Sequence, residues 1–164
     1  MLLAALPAMF GCPKSDDPVY YINKLQSSDE ETQRRAVEEL VRMNKRAMPY
    51  ITGRKPGESE KTLPAAIDSE NPNVRKGCAD FLAKVRRMES LVAVGELIDD
   101  PDREVRLKAI EAVSALAQVW RAKSIALLRQ AFQDEDPECV EKAGEGLRNM
   151  RAEAATEVLR EFYR

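Results

Sequence analysis

Four stretches of this chain align with one another without gaps, and that self-similarity restricts the fold more than any single residue does. They are LQSSDEETQRRAVEEL (residues 25–40), IDSENPNVRKGCADFL (67–82), IDDPDREVRLKAIEAV (98–113) and FQDEDPECVEKAGEGL (132–147). Their starts, at 25, 67, 98 and 132, lie 42, 31 and 34 residues apart. The columns agree in chemistry. Leu25, Ile67, Ile98 and Phe132 share one, and Thr32, Val74, Val105 and Cys139 another. Ala36, Cys78, Ala109 and Ala143 form a column of small residues, and Leu40, Leu82, Val113 and Leu147 a column of large ones. Apolar positions recur at spacings of three and four, the period of a helix with one buried face. A short helical unit cannot bury its apolar stripe alone, whereas stacked copies can.

Each copy therefore reads as helix A, a tight turn and helix B. The periodicity predicts A helices over 19–26, 63–68, 89–99 and 122–133, and B helices over 30–43, 73–87, 103–117 and 138–150. A last helix over 152–163 closes the end. Asp29, Asn71, Asp102 and Asp136 stand where a side-chain oxygen can cap the open N–H groups of each helix B. Pro72 and Pro137 fall in the first helical turn, where a missing N–H costs nothing. The longer first interval places an insertion at 52–62, TGRKPGESEKT, whose Gly53, Pro56, Gly57 and Ser59 mark a loop. It reads as a tolerated surface insertion, with Ala47 to Ile51 before it as a broken helix A. Hydrophobic residues make up 44% of the 164 residues but aromatics only 5%, a balance that suits packed helices.

The third copy, with Asp100, Pro101, Asp102, Val105, Arg106 and Ala109, resembles a HEAT repeat of the short kind also called phycobilin-lyase-like. The second copy keeps Pro72, Val74 and Arg75, and the fourth keeps Asp134, Asp136, Pro137 and Ala143. The resemblance covers most of residues 16–164. It implies an all-α fold, a right-handed α-solenoid of about four to five stacked HEAT-like helix pairs over 18–164. It also implies a general binding scaffold whose B helices line the concave side. Gln33 in the first copy and Val140 in the fourth replace the Arg of the middle two, so an Arg–Asp ladder between repeats is confined to the middle.

The chain has no His, which removes imidazole-based catalysis and metal binding. Its three Cys are too few and too scattered for a structural zinc site, and Cys78 and Cys139 fall in core columns. No phosphate-cradling glycine motif occurs; Gly144 and Gly146 lie inside a predicted helix, where close helix packing or local softness accounts for them. No metal, cofactor, enzymatic activity or small-molecule substrate is expected. A net charge of −2 argues against nucleic acid as a partner. A DNA-repair or chromophore-acting enzyme of related architecture is the weakest alternative, since an acidic column interrupts the basic residues a DNA groove would need. That column is Glu38, Asp80, Glu111 and Glu145, and in three copies a base stands three residues earlier, Arg35, Lys108 and Lys142. The candidate partner-binding residues on the B helices are Arg75, Asp80, Arg106, Lys108, Glu111, Lys142 and Glu145. Tyr20, Tyr21, Tyr50 and Trp120 are assigned to core or seams.

Residues 1–12 differ in character: MLLAALPAMF is apolar, and polar PKSDDP follows Gly11 and Cys12. MFGC resembles the lipobox of bacterial lipoproteins, in which the Cys is acylated and becomes the new N-terminus. The resemblance implies a signal segment over 1–12, a lipid-bearing Cys12, a short linker over 13–17 and a lipid-anchored home in the bacterial envelope. No Lys or Arg precedes the apolar block, as in a leader whose basic beginning lies upstream. The expected function is a non-catalytic protein–protein scaffold, its partners a protein and, through Cys12, a bilayer. The alternative is a cytoplasmic regulatory or accessory subunit.

Overall fold

The computed structural model describes residues 16–55 and 64–162. Among these residues every regular element is helical: α1 (Pro18–Lys24), α2 (Glu30–Met43), α3 (Met48–Thr52), α4 (Pro72–Val85), α5 (Met88–Glu96), α6 (Arg103–Leu116), α7 (Arg121–Ala131), α8 (Pro137–Met150) and α9 (Glu153–Phe162). Short 3-10 turns occupy Asn44–Arg46 and Ala66–Asp68. The B helices are α2, α4, α6 and α8, each packed directly on the next, and the A helices meet one another more sparingly. The molecule is an all-α solenoid.

Local chemistry explains the helix starts. Asp29 accepts the Thr32 N–H at 2.8 Å, Asn71 the Asn73 N–H at 2.9 Å, Asp102 the Val105 N–H at 3.1 Å and Asp136 the Glu138 N–H at 2.9 Å. Proline occupies the first turn of α1, α3, α4 and α8. Of the aligned columns, all but Thr32 are at most 3% exposed, and their side chains join one continuous core. Cys78 and Cys139 are free and fully buried within it. Burial raises both thiols, Cys139 to about 11.

The second helix A departs from the expected 63–68. Among the described residues it consists of α3 and the 3-10 turn Ala66–Asp68, which touch each other. Gly53, at φ 69°, ends α3 in a left-handed conformation that glycine adopts without strain. Residues 56–63, most of the inserted loop, lie outside the described residues, as do Cys12 and the apolar block before it. Tyr20 and Tyr50 also depart from expectation, being 47% and 44% exposed. Each is a helix position next to the buried stripe: Tyr21 and Leu25 face inward beside the first, Met48 and Ile51 beside the second. Tyr20 packs edge-on against Tyr21 and beneath the Lys24 ammonium. Trp120 is half-buried against the core.

Gly146 admits a close helix approach. A Cβ there would lie 2.3 Å from Ser114 Oγ on α6. At the last pair, α9 buries Ala155 and Val158 and exposes Glu153, Thr156, Glu157 and Arg160, giving that end a polar outer face.

Candidate interaction surface

The A-to-B turns repeat one hydrogen-bond pattern. The side chains of Ser27, Ser69, Asp100 and Asp134 each accept the N–H two residues on, at 3.1, 3.2, 2.9 and 2.8 Å. One turn into helix B, a long side chain donates back to the carbonyl six residues upstream. Gln33 does so to Ser27, Arg75 to Ser69 at 2.7 Å and Arg106 to Asp100 at 3.1 Å. In the two middle copies the guanidinium has donors to spare and bridges to the following repeat. Arg75 Nε and Nη2 reach Asp100 at 2.7 and 2.8 Å, and Arg106 Nε and Nη2 reach Asp134 at 2.7 and 3.2 Å. These side chains are 11% and 4% exposed in the first pair, 12% and 5% in the second. Burial pushes the Asp134 carboxyl up, but the Arg106 guanidinium and the Asp136 N–H outweigh it and hold it below the usual carboxylate value.

Arg75 and Arg106 are thus placed inside the seams, their donors occupied. The other five candidate residues lie elsewhere on the B helices, 38–49% exposed. Lys108 Nζ stands 3.7 Å from Asp80 on α4 and 3.1 Å from Glu111, and Lys142 Nζ stands 3.1 Å from Glu145. Across α4, α6 and α8 they make a row of alternating sign. Beside it, a shallow groove between α6 and α8 is lined by Ile110, Ser114, Gly146 and Asn149. In the first copy the expected Arg35–Glu38 pair is replaced: Glu38 pairs with Arg34 at 2.6 Å and Arg35 with Glu31 at 2.6 Å.

Sequence spacing missed the ion pairs that join helix ends of different repeats. Arg103 reaches both Asp136 and Glu138, Arg54 pairs with Glu96, and Arg129 meets Glu161 at 2.6 Å. The only available signal was indirect, since Arg103 follows a cap residue in a copy whose neighbour carries an acidic turn. Among the described residues no three acid or thiol side chains gather as a metal-holding group. No helix there is long and apolar enough to cross a membrane.

A profile of HEAT repeats matches residues 21–114 and 96–164. The chain belongs to the HEAT-repeat family. HEAT repeats serve generally as protein-interaction scaffolds, and the exposed B-helix row is where such an array offers charged side chains held by a rigid layer. Among solved structures, the HEAT array is similar to an engineered protein, at 18% identity and a TM-score of 0.44. That match covers 82% of this chain and 38% of the other, so the chain spans well under half of that protein's length. No curated protein matches it.

Proposed function

We propose that this protein is a non-catalytic docking scaffold of the bacterial envelope, tethered through an acylated Cys12 and engaging a protein partner with the exposed B-helix row. The observation that carries the docking surface is the division of labour among charges. Arg75 and Arg106 are consumed by the seams, whereas Asp80, Lys108, Glu111, Lys142 and Glu145 keep side chains about half exposed on a layer whose backbone the seams hold fixed. Burial pulls Lys108 down, but Asp80 and Glu111 raise it above its ordinary value; the Glu145 hydrogen bond raises Lys142. Both lysines carry full charge at neutral pH, and exposed charges of this kind steer partners and set register. The envelope address rests on the MFGC stretch at Cys12.

Two experiments test the two halves. Crosslinking in cells, with Lys108→Glu and Lys142→Glu beside the wild type, should remove specific partner adducts while the melting temperature stays within a few degrees. Unchanged adducts sink the docking row. Fatty-acid labelling of the full gene product, including any upstream residues, should mark the wild type and not Cys12→Ser. Absence of label, with a known lipoprotein labelled in the same cells, sinks the tether.

A further inference from the structure

The two edges of the array carry opposite charge. One edge holds the A-to-B turns and the starts of the B helices, and it is acidic at Asp29, Asp102, Asp136, Glu104 and Glu138. Of the bases on it, Arg75, Arg103, Arg106 and Arg129 are engaged in ion pairs, Lys24 lies over the Tyr20 ring and Arg160 is exposed, so acids outnumber free bases there. The other edge holds the ends of the B helices and the starts of the A helices. There Lys84 and Arg86 end α4, Arg121 begins α7, and Arg148 and Arg151 end α8, all exposed. Half-buried Arg87 lies beside them. None of these six has an ion pair among the described residues, and the acids on this edge are few: Asp16, Asp17, Glu89 and Glu153.

Helix-end preference alone does not produce this edge. A cation suits the last turn of a helix, but Arg121 and Lys123 stand in the first turn of α7, where the helix dipole disfavours positive charge. Arg86 and Arg151 occupy left-handed caps at φ 52° and 46°, positions that glycine fills with less strain. At Arg121 and Lys123 charge is placed against local preference, and at Arg86 and Arg151 an arginine stands where glycine would be the easier cap. The edge is continuous across repeats: Lys123 Nζ lies 3.6 Å from Met88 Sδ at the start of α5. Asp16, the first described residue, lies on this same edge: Arg46, just after α2, donates to its carbonyl at 2.8 Å.

We infer that this basic edge lies against an anionic bilayer surface, so that the solenoid stands on its B-to-A connections. The inference deepens the anchored reading and rests on it for the choice of a membrane as the anion. Charges on an edge act within a Debye length, roughly 10 Å at 0.1 M salt, so this edge binds a lipid surface although the whole chain is net negative. An acyl chain beside a polybasic patch is the two-signal arrangement that makes anchoring stable. The acidic edge then points away, and the B-helix row stands at the side, open to a protein partner.

The test uses the full chain as Cys12→Ser, which carries no acyl group, with vesicles of phosphatidylcholine alone or with one third phosphatidylglycerol. Cosedimentation should favour the anionic vesicles, and the excess over neutral vesicles should vanish in high salt. Arg86→Gly with Arg151→Gly should weaken binding to the anionic vesicles about thirtyfold, and adding Lys84→Gln and Arg148→Gln about a thousandfold. Because glycine relieves both caps, the double variant should melt no lower than its parent. Equal sedimentation with both vesicle types overturns the inference, as does anionic binding that the four substitutions leave unchanged. A single-stranded oligonucleotide that binds more tightly than the anionic vesicles at the same salt also overturns it, in favour of a nucleic acid. The anchored reading fails separately, by absence of label on Cys12.

Discussion

The seam between the first two repeats and the two seams after it use the same columns and are held differently. At the later seams a buried guanidinium ties its own turn to the carboxylate of the next, Arg75 to Asp100 and Arg106 to Asp134. At the first seam Gln33 reaches its own turn and stops, and Ser69 stands where the next carboxylate would be. The first seam relies instead on Leu25, which seats against Gly77 so closely that a Cβ there would lie 2.7 Å from Leu25 Cδ2. It also borders the divided helix A. The lesson is that one packing scheme accepts either an ionic clasp or an apolar seat, and that the ionic one fixes orientation more strictly because a bidentate pair tolerates little rotation.

The largest effect should come from a buried charge at the centre. Val105→Asp, in a fully buried α6 position, should cost about 5 kcal/mol or more and melt repeats on both sides, seen as loss of the circular-dichroism transition. A transition that merely shortens, with the first two repeats intact, would show that the first seam separates two independent folding units. Next, Asp100→Ala leaves Arg75 buried without its carboxylate and should cost about 3–5 kcal/mol. Gln33→Ala at the first seam should cost about 1 kcal/mol, since it removes neutral hydrogen bonds only. Equal costs in urea unfolding would erase the distinction between clasp and seat. Gly146→Ala should cost about 1–3 kcal/mol through overpacking against Ser114 Oγ. Gly77→Ala should cost a similar amount, because fully buried Leu25 crowds the added methyl with Cγ and both Cδ atoms. The smallest effect is titration. Asp134 and Asp136 are held below the ordinary aspartate value of about 4, Asp136 chiefly by the Arg103 hydrogen bond. Their contribution is present above that value and lost as pH falls through the depressed one. Protection of the α8 amides should therefore weaken as pH falls below the ordinary aspartate value of about 4, and weaken less in an Asp134→Asn variant.

Helix positions, caps and core columns were legible because each follows from a few neighbouring residues. Asp29, Asn71, Asp102 and Asp136 cap as their position requires, and the B helices begin and end within two residues of the periodic pattern. The restriction of the Arg–Asp ladder to the middle was legible from Gln33 and Val140. Whether Arg75 and Arg106 serve the ladder or a partner was not, since a charged residue in a B helix looks the same whether it faces a partner or a neighbouring turn. That choice depends on whether the next turn offers a carboxylate, a fact 25 to 28 residues away. The second helix A was legible only in part: residues 47–51 read as a broken helix A, as α3 is, but a 3-10 turn at Ala66–Asp68 stands where a helix over 63–68 is expected. A short apolar piece before a loop and another after it each look insufficient, and only stacking against α4 and its neighbours gives them one place.

The clasp also sets a grammar for growth. Repeat two has the arm but no receiving carboxylate, repeat three has both, and repeat four, with Val140 and Asp134, has only the receiver. Read in order, these are an opening, an interior and a closing unit. Tandem duplication of residues 98–131 would lengthen the array with every arm met by a receiver, whereas duplicating the second or fourth unit would break the chain of clasps where the copies meet. The chain thus carries in its third repeat a segment ready for copying, and in its flanking repeats the marks that say where copying stops.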